Sequence, residues 1–283
     1  MKDILAAPSV TALIRTMSNM YAKGWDERNA GNISLRLEES ELADYLDLQA
    51  VDRRLPTGFS APSLDGMYFL VTGTGKYFKN AADAPARDLG IVRLVQGGSS
   101  AELLWGFTDG SRFTSEFPAH MMSHAARLRV DPENRVVLHC HPTHLLAMSF
   151  VHDLDEAAFT HTLWQMCTEC VMVFPDGINV LPWMLCGTNA IGEATAKKME
   201  TARLVLWAQH GVYGAGRSLD ECFGLIETAE KAAEVYLKIA HLPVVNTIPD
   251  EGLQQIADHF GVKLREGYLN KGLSQKIVHN SKK

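Results

Sequence analysis

The run Val136-Val137-Leu138-His139-Cys140-His141 constrains this chain more than any other stretch. An apolar segment of this length reads as a strand buried within a sheet. Side chains two apart on a strand share a face, so His139 and His141 project together while Cys140 turns away. A buried strand of this kind needs covering layers on both of its faces, and the surrounding sequence supplies them.

From Ser9 to Gly24 the apolar positions Leu13, Met17, Met20 and Tyr21 recur at helical spacing, with Gly24 where a helix C-terminus favours it. Ile33, Leu35 and Leu37 then alternate with polar residues as in a half-buried strand. The stretch from Leu42 to Ser63, with Pro56, Gly58 and Pro62, reads as a surface excursion. Met67 to Val71 predicts a strand, and Ile91 to Val95 with Leu103 to Phe107 predict a hairpin about Gly97-Gly98. Pro118 suits the first turn of a helix reaching Leu128, Arg135 to His141 is the buried strand, and a helix follows from Pro142 to about Val151. Val171 to Phe174 and Ile178 to Trp183 read as strands about Asp176-Gly177. Thr188 caps a helix to about Thr201, Leu204 to Ala208 is a strand, and Ser218 with Glu221 forms a capping box for a long helix. A last short helix spans about Leu253 to Phe260, and residues beyond Gly267 read as a loose tail. With no repeat of solenoid period, this is one mixed α/β domain whose helices cover a sheet.

The length of 283 residues and the 46% hydrophobic, 21% charged composition fit a globular chain with a substantial core. A net charge of −6, without a basic block except near Lys276, Lys282 and Lys283, argues against a nucleic-acid partner. No stretch reaches the roughly 18 uninterrupted apolar residues of a membrane span. Asp3 and Arg15 interrupt what a secretory signal would need, so the expected compartment is the cytoplasm. The odd cysteines, Cys140, Cys167, Cys170, Cys186 and Cys222, read as reduced buried thiols.

Neutral imidazole is the commonest zinc ligand, and catalytic zinc sites typically use three protein ligands with a position left open. His139 and His141 fit that use, although a His-x-His pair on a strand is also met as a polar face or a satisfied core pair. His210, ending an apolar strand before Gly211, is the natural third donor. His120 and His124 form a competing pair four apart, read as part of a partly exposed helix, and His144 follows His141 by one turn. Glu116 stands at the mouth of a helix, where it serves either helix-terminus electrostatics or, near a bound cation, as a general base. Thr72-Gly73-Thr74-Gly75-Lys76 and Asn29-Ala30-Gly31-Asn32 are turns able to offer amides and side-chain donors to a phosphate. The first is not a P-loop, because Leu70 stands where the leading glycine belongs.

Taken in order, Gly24 to Asn32, Val71 to Phe78, Thr114-Ser115-Glu116, His139-Cys140-His141 and His210-Gly211-Val212 resemble the class II aldolase family, which includes the adducin head. Thr168-Glu169-Cys170, Val171 to Gly177 and Leu181 to Met184 are similar to the branch that splits L-rhamnulose 1-phosphate into dihydroxyacetone phosphate and L-lactaldehyde. The resemblance implies a central mixed, largely antiparallel sheet covered by helices on both faces, with residues 1–267 as the zinc domain and 268–283 as a short tail. It implies one Zn²⁺ per subunit on His139, His141 and His210, with Glu116 as the acid/base. By the same likeness Asn29, Asn32, Thr74, Gly75 and Ser115 hold the phosphate of the ketose substrate. Glu169 corresponds to a carboxylate reaching the aldehyde end from a neighbouring subunit, and the expected assembly is a cyclic homotetramer. A ribulose-phosphate epimerase, another sugar-phosphate aldolase and a non-catalytic adducin-like scaffold are the alternatives.

Overall fold

A computed structural model describes residues 1–270. Its strands are β1 (Asn32–Leu37), β2 (Arg53–Pro56), β3 (Tyr68–Thr72), β4 (Leu89–Val95) and β5 (Ser100–Gly106). They continue as β6 (Val136–Cys140), β7 (Ile178–Leu181), β8 (Leu204–Trp207) and β9 (Gly211–Gly216). All belong to one sheet in the order β2-β5-β4-β3-β1-β6-β9-β8-β7. Only β7 and β8 pair in parallel, so the sheet is mixed and mostly antiparallel, as expected.

The helices are α1 (Pro8–Ala22), α2 (Glu39–Leu42), α3 (Pro85–Asp88), α4 (Phe117–Val130), α5 (Thr143–Val151) and α6 (Glu156–Met166). After them come α7 (Thr168–Val173), α8 (Asn189–Met199), α9 (Leu219–Ile239) and α10 (Asp250–Phe260). The period of two along each strand sorts side chains between the two covering layers. Val136, Leu138 and Cys140 of β6 pack with Ile33, Leu35, Leu204 and Leu206 in a core shared with α1, α5, α6 and α9. Val137, Val205, Trp207, Tyr213 and Ala215 face the other way, onto α4 and α8. His139 necessarily joins this second face, since it is two residues from Val137.

Register sets the site at one end of the sheet. Asn32 lies opposite His139, His139 opposite Tyr213, and Gly211 opposite Trp207. The starts of β1 and β9 and the ends of β3, β6 and β8 therefore share an edge, and the loops leaving them converge.

Several local expectations are corrected. Residues 168–173 form helix α7 rather than a strand: Cys170 and Val171 are buried, and packing against α6, α9 and α10 overrides the β preference of Val171 and Val173. The segment Leu42 to Ser63 is more than an excursion, since β2 adds an edge strand to β5. His120 and His124 are fully buried, not partly exposed, because α8 covers the outer side of α4 and presses the pair onto β1. Cys140, Cys170 and Cys222 are buried free thiols, whereas Cys186 is exposed on the loop before α8. The expected tail begins at residue 268, where Tyr268 is buried near Trp164; from residue 271 it lies outside the described residues.

Candidate metal centre and active site

His139, His141 and His210 come together although His210 lies 69 positions after His141. Ring centroids are 5.1 Å apart for His139 and His141, 5.1 Å for His139 and His210, and 4.9 Å for His141 and His210. One ring nitrogen from each lies within 4.8 Å of the others, so the three together can hold a metal ion.

Hydrogen bonding fixes which nitrogen faces inward. His139 Nδ1 donates to the Val212 carbonyl at 3.0 Å, and His141 Nδ1 donates to Glu27 Oε1 at 2.8 Å. Each imidazole is thereby left with its Nε2 lone pair free, and both Nε2 atoms are buried without a hydrogen-bond partner. Buried acceptors of this kind are costly unless something fills the space between them. Burial and the neighbouring imidazoles push His139 well below the usual histidine range, and burial above all lowers His210 to about 4, so both favour the neutral, ligating form.

Backbone geometry makes room for this convergence. Gln209 takes φ 58° and is clamped by Ser149, whose Oγ accepts from Gln209 N and whose carbonyl accepts from Gln209 Nε2. The turn swings His210 back over the sheet edge. At Gly211 a Cβ would sit 2.5 Å from the Cys140 carbonyl oxygen, 2.7 Å from His141 Cδ2 and 3.0 Å from His139 Cε1. Only glycine fits there.

Glu116 sits at the N-terminus of α4, with Oε2 3.5 Å from His139 Nε2. That oxygen accepts from Asn32 Nδ2 at 3.1 Å and from Tyr213 Oη at 2.8 Å. Burial raises the carboxyl above the ordinary glutamate range, and the two hydrogen bonds partly offset this. Asn32 Oδ1 is in turn held by His120 Nε2, and Ser34 Oγ bridges His120 Nδ1 and His124 Nε2. The buried histidine pair is therefore a scaffold behind the carboxylate and is not part of the three-histidine cluster. His144 is likewise separate, bonded to Glu230 of α9.

Among the remaining expected residues, Asn29, Thr74, Gly75 and Ser115 are exposed. The bridge between Gly73 and Phe113, with Thr74 N donating to Arg112 O and Thr114 N to Thr72 O, ties the Thr74-Gly75 turn to the segment before Glu116. Thr72 Oγ1 accepts from Ile33 N and joins both to the start of β1. These four donors thus occupy adjoining loops at the sheet end that carries the histidines. Glu169 lies elsewhere, on α7, where it accepts from Cys167 Sγ and lines a cleft of about 640 Å³ with Trp25, His144 and Glu230. Within one chain it is not brought to the histidine cluster.

Sequence reasoning missed Tyr213, Glu27 and the part played by Asn32 in holding Glu116. The alternation from Gly211 to Gly216, which places Tyr213 opposite His139, was the available signal for the first.

Residues 11–237 match the class II aldolase and adducin N-terminal domain. The chain belongs to that family. It is 56% identical over 270 residues to the rhamnulose-1-phosphate aldolase of Listeria monocytogenes, covering 95% of this chain and 99% of the relative. The rhamnulose-1-phosphate aldolase of Enterococcus faecalis is 56% identical over 275 residues, 97% of this chain and 99% of its own. Among solved structures, a sugar-phosphate aldolase from Thermotoga maritima superposes with a TM-score of 0.71 at 30% identity, covering 82% of this chain and 94% of that one.

Proposed function

We propose that this chain is a divalent-metal lyase that reversibly cleaves L-rhamnulose 1-phosphate to dihydroxyacetone phosphate and L-lactaldehyde. The observation that carries the reading is the convergence of three imidazoles beside a buried carboxylate. The near full-length identity to the Listeria and Enterococcus aldolases supports the choice of sugar.

His139, His141 and His210 would hold the ion, and the unpartnered Nε2 atoms of His139 and His141 and the space kept open at Gly211 fit one. All-imidazole donors of this number suit zinc. When bound, such a cation polarises the carbonyl and hydroxyl oxygens of the ketose and stabilises the negative charge left by carbon–carbon cleavage. Glu116 moves the proton at the carbon next to the carbonyl, aimed by Tyr213 and Asn32 and kept basic enough by its burial. Asn29, Thr74, Gly75 and Ser115 receive the phosphate with exposed amides and hydroxyls, joined by the start of β1 at Asn32. Glu169 reaches the aldehyde end of a neighbouring subunit's site in a homotetramer. Among the described residues no helix is long and apolar enough to cross a membrane, in keeping with a cytoplasmic enzyme acting on a phosphorylated sugar.

The test is a substrate panel on zinc-loaded protein. Release of dihydroxyacetone phosphate from L-rhamnulose 1-phosphate is expected; interconversion of pentulose phosphates without that release would install the epimerase instead. Glu116→Gln should keep its zinc and lose about 10²–10⁴ in turnover. Unchanged turnover would remove Glu116 from proton transfer, and a folded protein that takes up no metal would favour the scaffold.

A further inference from the structure

Behind Glu116 a file of buried polar side chains runs between β1 and α4. Asn32 and Ser34, two apart on β1, share the face turned toward α4, where His120 and His124 stand one turn apart. All four are buried, the two histidines completely. Asn32 Nδ2 donates to Glu116 Oε2 at 3.1 Å, so Oδ1 is the atom that meets His120 Nε2. An amide oxygen can only accept, so His120 Nε2 carries a proton. Burial pushes His120 down to about 3, which leaves its Nδ1 bare at neutral pH. That nitrogen accepts from Ser34 Oγ at 2.8 Å, and the same oxygen accepts in turn from His124 Nε2 at 2.9 Å. Every bond in the file thus has one direction, and its last lone pair, on His124 Nδ1, has no partner. His120 also packs against Tyr213, with ring centroids 5.4 Å apart, and Tyr213 Oη is the second donor to Glu116 Oε2. Both donors to that oxygen rest on His120.

We propose that His120 is a positioning residue for Glu116: fixed as the Nε2–H tautomer by Ser34 and His124, it holds the Asn32 amide with its NH₂ group toward the carboxylate and supports Tyr213. Both bonds fall on Oε2, which leaves Oε1 to move the substrate proton. Without the imidazole, the Asn32 amide is free to turn its oxygen toward Glu116, where two acceptors repel, and the carboxylate loses its aim. The three-histidine group does not include His120, so metal binding does not depend on it.

The proposal rests on the reading of Glu116 as the acid/base of an aldolase, and the experiment separates the two. Cleavage of L-rhamnulose 1-phosphate and metal content are measured on the full chain, with urea unfolding as the check on folding. His120→Leu, which has no donor, should lower kcat by roughly 10–100-fold with KM changed by less than about threefold, at the metal stoichiometry of wild type. His120→Gln, which places an N–H near the position of Nε2, should recover most of that loss. In a Glu116→Gln background, His120→Leu should cost less than about threefold further, because the group it aims is already gone. Should His120→Leu fail to fold, Ser34→Ala decides: it keeps the imidazole, removes the hydroxyl that sets its tautomer, and should lower kcat at constant KM. An unchanged kcat, a loss carried by KM, no recovery in His120→Gln, or the full loss repeated in the Glu116→Gln background overturns the role of His120 and leaves the aldolase standing. A wild-type protein that cleaves no L-rhamnulose 1-phosphate and exchanges no proton of dihydroxyacetone phosphate overturns the aldolase reading and the proposal together.

Discussion

At Gly211 the main chain passes so close to two imidazoles that a single methyl group would collide with both and with the Cys140 carbonyl. Because the nearest obstacle is backbone, relief must come from a shift of the main chain at Gly211, which carries His210 away from the other two rings. Gly211→Ala is expected to leave the fold intact and weaken divalent-metal affinity by roughly 10–100-fold, the range seen when ligand orientation is lost. Competition with a chromophoric chelator measures this. Asp26 offers a different residue-scale test. Its carboxylate oxygens are buried without a hydrogen-bond partner, and burial, with the Glu27 charge beside it, pushes the group up to about 7. A folded-state value above that of the unfolded chain means stability is greatest below about pH 4 and falls as pH rises toward about 7. Asp26→Asn carries no charge to desolvate, so its urea midpoint should fall less than that of wild type between pH 5 and pH 8; equal slopes would remove Asp26 as a cause. The sequence disclosed the histidines because a strand has only two faces. It concealed the partners of Glu116, Asn32 and Tyr213, which arrive from segments remote in the chain.

Helix α4 owes its position to α8. Gly192 of α8 faces Ala119 and Met122, and a Cβ there would already stand 3.2 Å from Ala119 Cα and 3.1 Å from Met122 Sδ. Gly192→Leu should force the helices apart at a cost of about 1–3 kcal/mol, read in urea unfolding. Because Glu116 stands at the N-terminus of α4, turnover should fall by more than metal content does. Long elements were legible: the spacing over α1 and α9 and the alternation over β1 match the observed ranges closely. Short ones were not. The six residues of α7 carry too few turns to show a period, and β9 contains three glycines, so it offers little apolar alternation. On β2 the alternation is between partly and fully exposed residues, as an edge strand shows, and it ends on Pro56.

For the whole molecule, the place of Glu169 on α7, outside the histidine group of its own chain, makes assembly testable through activity. If Glu169 serves a neighbouring site, Glu116→Gln and Glu169→Gln subunits are each impaired alone, yet complement when co-assembled. Random mixing then restores roughly a quarter of the sites, those that draw each intact carboxylate from a different subunit. A mixture no better than its components would confine both residues to one chain. Strand order was illegible for a general reason: hydrophobic period reveals that a segment is a strand but not its neighbour, and β6 pairs with β1 and β9, far away along the chain.

The gathering of all three histidines at one edge of the sheet frees the other edge for engineering. The turn joining α4 to β6 exposes Pro132 and Glu133 at the start of the strand whose end carries His139, roughly 20 Å away along an extended chain. A tether or affinity peptide spliced between Pro132 and Glu133 would anchor the enzyme to a solid support with its catalytic mouth turned toward the flowing substrate.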